Sequence, residues 1–138
     1  PIVCAVIGEG GSGGALGIGT GDRLAMLEHP YYPVISPEGC ASILWKGQEH
    51  APKAAATLKM TSRDLLRFKI IDEVISEPLG GAHRDHREAA SNIKSYLLRS
   101  LRELSDVPKA RLLDRRYEKY RKIGVFFESE GLPRNGQA

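Results

Sequence analysis

Between residues 8 and 16 the sequence reads Gly8-Glu9-Gly10-Gly11-Ser12-Gly13-Gly14-Ala15-Leu16, and these are the residue types and spacing that could do chemistry. The wider segment, residues 8–21, holds eight of the chain's 15 glycines. Glycine lets a turn take a positive φ and lets a ligand reach main-chain N–H groups that a Cβ would shield. The apolar run before the loop reads as a strand, and a helix should open after it. A helix N-terminus adds unpaired N–H donors and a partial positive charge. The chemical product is a site for an anion: a phosphate, a carboxylate or a transient oxyanion.

Other readings of the same loop compete. Gly8-x-Gly10-x-x-Gly13 satisfies the dinucleotide pattern, and Glu28 ends the next strand, close to where a ribose partner is expected. Against it, the following helix has room for only about ten residues and contains Gly17 and Gly19, each costing about 1 kcal/mol relative to Ala. A P-loop is excluded because no Gly-Lys-Ser/Thr follows. Gly10-Gly11-Ser12-Gly13-Gly14 also matches a nucleophile elbow, but His29, His50, His83 and His86 lack the context a hydrolase needs. A packed glycine turn with no ligand is the plainest alternative.

These residues need a frame. Residues 2–7 form a nearly continuous Val- and Ile-rich run, the pattern of a strand buried on both faces in a mostly parallel sheet. Residues 24–27 and 32–36 read as two further short strands separated by His29-Pro30. Ser36-Pro37-Glu38 is a helix start: Ser at the cap, Pro at the first position, an acid in the first turn. That helix is expected to turn Ala41, Leu44 and Trp45 inward, with Cys40 as a small apolar filler, and to stop near Gly47. Short helices follow at 51–58 and 61–68, the second capped by Thr61 or Ser62. Residues 70–75 read as a strand or extended edge, broken by Pro78-Leu79-Gly80-Gly81. From 85 to 104 runs an amphipathic helix with Ala89, Ile93, Tyr96, Leu97, Leu101 and Leu104 on one stripe. Pro108 opens a final helix that Gly124 ends.

A length of 138 residues suits one domain. With 41% hydrophobic and 27% charged residues, collagen-like, wholly disordered and multi-span membrane classes are excluded. No stretch approaches the roughly 18 apolar residues of a spanning helix. Cys4 and Cys40 lack the spacing of a zinc ribbon or disulfide framework, which points to a reducing cytoplasm. His83-x-x-His86 has no further ligands, so no metal site is expected. The balance of 20 Lys and Arg against 17 Asp and Glu is too mild to mark a nucleic-acid binder. The last helix nevertheless carries Lys109, Arg111, Arg115, Arg116, Lys119, Arg121 and Lys122 against Asp114 and Glu118. Its bland reading is a solvated face; the sharper ones are an acidic partner or nucleic acid. The chain opens Pro1-Ile2-Val3-Cys4 inside a strand, with no leader pattern, so it is expected to be the carboxy-terminal piece of something longer.

Taken in order, the strand, the glycine loop, Ile35-Ser36-Pro37-Glu38-Gly39-Cys40-Ala41-Ser42-Ile43-Leu44-Trp45-Lys46, Ile71-Asp72-Glu73-Val74-Ile75 and Glu77-Pro78-Leu79-Gly80-Gly81-Ala82-His83 resemble the carboxyltransferase alpha subunits of bacterial acetyl-CoA carboxylases. Arg115-Arg116-Tyr117 fits the closing stretch of that family. The resemblance implies an α/β, crotonase-like spiral of ββα units, incomplete here, with carboxy-terminal helices. Residues 1–83 would be the carboxy-terminal part of the carboxyltransferase domain, 84–124 the terminal helices and 125–138 a flexible tail. The implied activity transfers the carboxyl group of carboxybiotin, held on its carrier protein, to acetyl-CoA, giving malonyl-CoA for fatty acid synthesis. No cofactor would be bound in this chain, since biotin arrives as a co-substrate. Implied partners are a beta subunit, the biotin carboxyl carrier protein and acetyl-CoA, in an α2β2 assembly, with neither membrane nor nucleic acid. Gly13 and Gly14 match the oxyanion donors of that fold. Gly10 and Gly11 would form the turn that admits the ureido ring, Glu9 would orient the loop, and Ser12 would border the substrate. The competing expectation is a truncated crotonase-like module that serves assembly or a basic binding surface without activity.

Overall fold

Alternation along three short strands decides the architecture. In the computed structural model, which describes residues 1–124, β1 (Val3–Val6), β2 (Arg23–Leu27) and β3 (Glu73–Ile75) form one parallel sheet in that order. The register sets Val6 beside Met26 and Leu27 beside Ile75. Successive strand residues point to opposite faces. Val6, Leu24 and Met26 therefore meet Leu65 and Ile71 on one side, while Ala25, Leu27 and Ile75 meet Tyr96 on the other. Residues 24–27 are each at most 2% exposed, as a central strand covered on both faces must be. β1 is an edge: among the described residues no strand lies on its outer side.

Between β1 and β2 runs α1 (Ser12–Gly19); α2 (Pro37–Trp45), α3 (Ala51–Leu58) and α4 (Ser62–Arg67) precede β3, with a short 3-10 turn at Gln48–His50. α5 (His86–Ser105) covers one face of the sheet and α6 (Lys109–Arg121) follows it. Local chemistry sets the helix starts. Ser36 Oγ accepts from the Gly39 N–H at 3.1 Å with Pro37 next to it, and Asp85 accepts from the N–H groups of Arg87 and Glu88. Such caps satisfy donors that a helix leaves unpaired. Gly80 and Gly81 take φ of +88° and +101°, which glycine adopts freely, and so break the chain after β3. α2 and α3 pack through Cys40, Ala41 and Ala54, with Trp45 half-buried beside them.

Three expectations are corrected. Residues 32–36 are not a strand: Pro33 has no N–H to give a ladder, and the segment is held by single bonds, including Tyr32 N–H to Met60 and a lone Tyr31–Thr61 bridge. Leu44 points out, 60% exposed, because the apolar face of α2 turns through Cys40, Ala41 and Trp45. Leu101 is 40% exposed and Ser100 is buried in its place, since the stripe of α5 steps Tyr96, Ser100, Leu104 at intervals of one helical turn. The tail expected at 125–138 lies outside the described residues.

Candidate functional site

The glycine loop leaves β1 and turns into α1 with no side chain at its cap. Gly11 is the cap residue, extended, and offers no side-chain oxygen to the first turn. Ser12 follows at φ +52°, a left-handed conformation that costs a non-glycine residue about 1 kcal/mol and reverses the chain here. The backbone bonds around the turn engage the N–H groups of Gly10 (to Tyr31, 3.1 Å), Ser12 (to Pro33, 3.3 Å) and Ala15 (to Gly11, 3.0 Å). None of them engages Gly13 or Gly14, the second and third residues of the helix, and both are exposed. These two N–H groups lie where intrahelical acceptors are lacking and the helix dipole is positive. A Cβ built on either residue, or on Gly11, meets nothing within 4 Å, so the space above the turn is open.

Gly10 has a different surrounding. A Cβ there would stand 2.7 Å from Tyr32 Cδ2, so the ring of Tyr32 closes over the inner side of the loop. Glu9, expected to orient the loop through N–H bonds, has its carboxylate near the Tyr31 hydroxyl, and that acid, with some burial, raises the pKa of the phenol. Ser12 lines an apolar cavity of about 580 Å³ beside α1, with Tyr32 and Tyr120 also in its wall.

Four of the eight residues of α1 are glycine, which costs about 1 kcal/mol each relative to alanine. The helix therefore depends on tertiary contacts. The Tyr32 hydroxyl donates to the Ala15 carbonyl, and the Tyr120 hydroxyl donates to the Gly19 carbonyl at the helix C-terminus. Burial raises the pKa of both phenols, so they remain donors. Arg116 reaches Asp22 with two bonds at 2.9 and 2.8 Å, and Lys119 reaches Asp72 at 2.6 Å. Two of the basic residues of the last helix, Arg116 and Lys119, are thus spent inside the molecule, while Lys109, Arg111, Arg115, Arg121 and Lys122 stay exposed. Sequence reasoning missed these supports; the one available signal was Arg116, Lys119 and Tyr120 sharing a face at helical spacing.

The remaining candidates separate. His29 pairs with Glu77 at 3.2 Å and His50 lies beside Trp45, and among the described residues no His bonds Ser12. Glu28 is occupied by the Glu77 N–H at 2.8 Å. No group of three metal-ligating side chains occurs among the described residues. Burial raises the Cys4 thiol pKa despite Lys119 and Arg116, which keeps it a poor nucleophile. No described helix is long and apolar enough to cross a membrane. The loop can therefore offer an anion two backbone donors in open space, and among the described residues no catalytic side chain accompanies them.

Residues 1–124 match the family described as acetyl co-enzyme A carboxylase carboxyltransferase-like. The chain is similar to proteins named acetyl-coenzyme A carboxylase carboxyl transferase subunit alpha. That of Rhodopirellula baltica is 64% identical over 128 residues, 93% of this chain and 40% of that subunit. That of Synechococcus elongatus is 57% identical, covering 94% and 39%, and that of Flavobacterium psychrophilum 52% identical, covering 93% and 40%. The chain spans about 40% of the length of these relatives.

Proposed function

The chain belongs to the acetyl co-enzyme A carboxylase carboxyltransferase-like family, and from that premise we propose that it supplies the oxyanion-stabilising turn of an acetyl-CoA carboxyltransferase alpha subunit. The observation that carries the reading is the pair of exposed, unengaged N–H groups at Gly13 and Gly14. In the reaction the N–C bond of carboxybiotin breaks and its electron pair stays on the ureido group. The methyl group of acetyl-CoA gives up a proton, which ends on the ureido nitrogen, and a new C–C bond yields malonyl-CoA. Negative charge develops on the ureido oxygen and on the enolate oxygen. Preorganised N–H donors aimed at such an oxygen are worth about 3 kcal/mol each. Gly11 keeps the approach open, Gly10 lets Tyr32 close beneath it, and Ser12 borders the entrance.

On the same reading the sheet and its helices are part of a crotonase-like spiral, residues 1–83 carry the carboxyltransferase portion and 84–124 brace it. A beta subunit and the biotin carrier complete an α2β2 machine, biotin enters as co-substrate only, and the free Cys4 and Cys40 suit a cytoplasmic setting.

The test exchanges the matched segment of the 64%-identical relative for this chain, adds that relative's beta subunit and carboxylated carrier, and follows acetyl-CoA-dependent loss of the carboxyl group. Turnover supports the reading, and an assembled but inactive complex removes it. The open edge of β1, with Ile7 beyond it 65% exposed, and Leu16 of α1, 74% exposed, favour the second reading, an assembly module without activity. That second result would select it.

A further inference from the structure

A cavity of about 580 Å³ beside α1 is lined by Ser12, Ala15 and Gly19 of that helix and by Tyr32 and Tyr120. At one end of the gap Tyr32 rises from the segment after β2, its ring under Gly10 and its hydroxyl on the Ala15 carbonyl. At the other end Tyr120 rises from α6, its hydroxyl on the Gly19 carbonyl and 3.2 Å from that of Gly21. A glycine-rich helix cannot hold its own position, and here two phenols hold it, one at the Ala15 carbonyl in its middle and one at the Gly19 carbonyl at its C-terminus. α6 is itself fixed to the sheet: Arg116 bonds Asp22 just before β2, and Lys119 bonds Asp72 just before β3.

We propose that Tyr32 and Tyr120 are positioning residues for the transfer reaction, holding α1 so that the Gly13 and Gly14 N–H groups keep a fixed aim, and that α6 is the brace that delivers Tyr120. This rests on the functional reading above. It also gives the inward side of the basic terminal helix, Arg116, Lys119 and Tyr120, an intramolecular task. Neither phenol touches the open space above Gly13 and Gly14, so removing a hydroxyl loosens the donors without removing a substrate contact.

Two measurements test it, on Tyr32→Phe, Tyr120→Phe and, as control, Tyr117→Phe, whose ring is 68% exposed. The first is amide hydrogen exchange in the 138-residue chain. Each of the two site variants is expected to speed exchange of the α1 amides about fivefold, the size of one lost hydrogen bond, and to leave β2 unchanged. Equal acceleration in β2, unchanged α1 exchange, or loss of the helical circular dichroism in both variants would overturn the proposal. The second is steady-state kinetics in the exchanged subunit. Each site variant is expected to lower kcat about tenfold with the KM for acetyl-CoA unchanged, and Tyr117→Phe to change neither. Full kcat in both site variants beside an active parent overturns the positioning role while the functional reading stands. An inactive parent ends the functional reading, and the exchange result then decides positioning alone.

Discussion

Within one loop, two glycines three residues apart should respond to a side chain in different ways, Gly13 through activity and Gly10 through stability. At Gly13 a Cβ meets nothing within 4 Å, and Val is a slightly better helix residue than Gly, so Gly13→Val should change stability by no more than about 0.5 kcal/mol. The same side chain shields the N–H from a reacting oxygen. Losing one such donor costs about 3 kcal/mol in the transition state, roughly a 150-fold fall in turnover. At Gly10 the added Cβ would stand 2.7 Å from Cδ2 and 3.1 Å from Cε2 of Tyr32. The ring cannot retreat without giving up its hydroxyl bond to Ala15. Overpacking of this kind costs about 2 kcal/mol, a fall in Tm of about 7 °C for a chain of this size. Thermal unfolding followed by circular dichroism reads the stability, and acetyl-CoA-dependent release of the carboxyl group in the exchanged subunit reads the activity. Gly13→Val that keeps more than a tenth of the activity would refute the donor assignment. Gly10→Ala that melts with the parent would refute the packing argument.

Three further outcomes are expected. Burial pushes the Asp22 carboxyl upward, but Arg116 and the Ile2 N–H outweigh it and hold its pKa below the usual range; in Glu77, burial is likewise overcome by the N–H groups of His29 and Ala82 and by the His29 ring. A lowered folded pKa means stability that is full above the unfolded values of about 3.9 and 4.3 and is lost as pH falls through the folded ones. Urea unfolding should show that loss below about pH 4, and Asp22→Asn should remove about 3 kcal/mol at pH 7 with a shallower acid limb; an unchanged acid limb would contradict this. Leu24→Ala, at a position 1% exposed, should cost about 3 kcal/mol in the same assay, and a cost under about 1 kcal/mol would contradict its place in the core. The open edge of β1 should make this chain self-associate, and Ile7→Lys, at a position 65% exposed, should reduce that association in sedimentation velocity. A compact monomer at all concentrations would contradict it.

Much of the frame was legible because local rules coincide with tertiary need. Val3–Val6 followed by glycines announced a strand and a turn, and Ser36-Pro37 and Asp85 announced helix starts through their own side chains. Periodicity failed where packing decided between neighbours: Ser100 and Leu101 are adjacent on α5, and only the position of the sheet selects the smaller one for burial. The segment at 32–36 misled because apolar content suggested a strand while Pro33 removed a donor. The supports of α1 left only the shared face of Arg116, Lys119 and Tyr120 as a signal, since Tyr32 and Tyr120 reach carbonyls 17 and 101 residues away. Tyr31 and Pro33 come against the glycine loop only through the turn after β2, so the acid's neighbour Tyr31 was not legible from Glu9 itself.

The most direct test of the central claim is transfer itself. With this chain in place of the matched segment of the 64%-identical relative, beside its beta subunit and carboxylated carrier, acetyl-CoA should discharge the carboxyl group at a rate within about tenfold of the parent, roughly 1.4 kcal/mol in barrier. Carboxyl release that does not depend on acetyl-CoA, or none at all from an assembled complex, would contradict it.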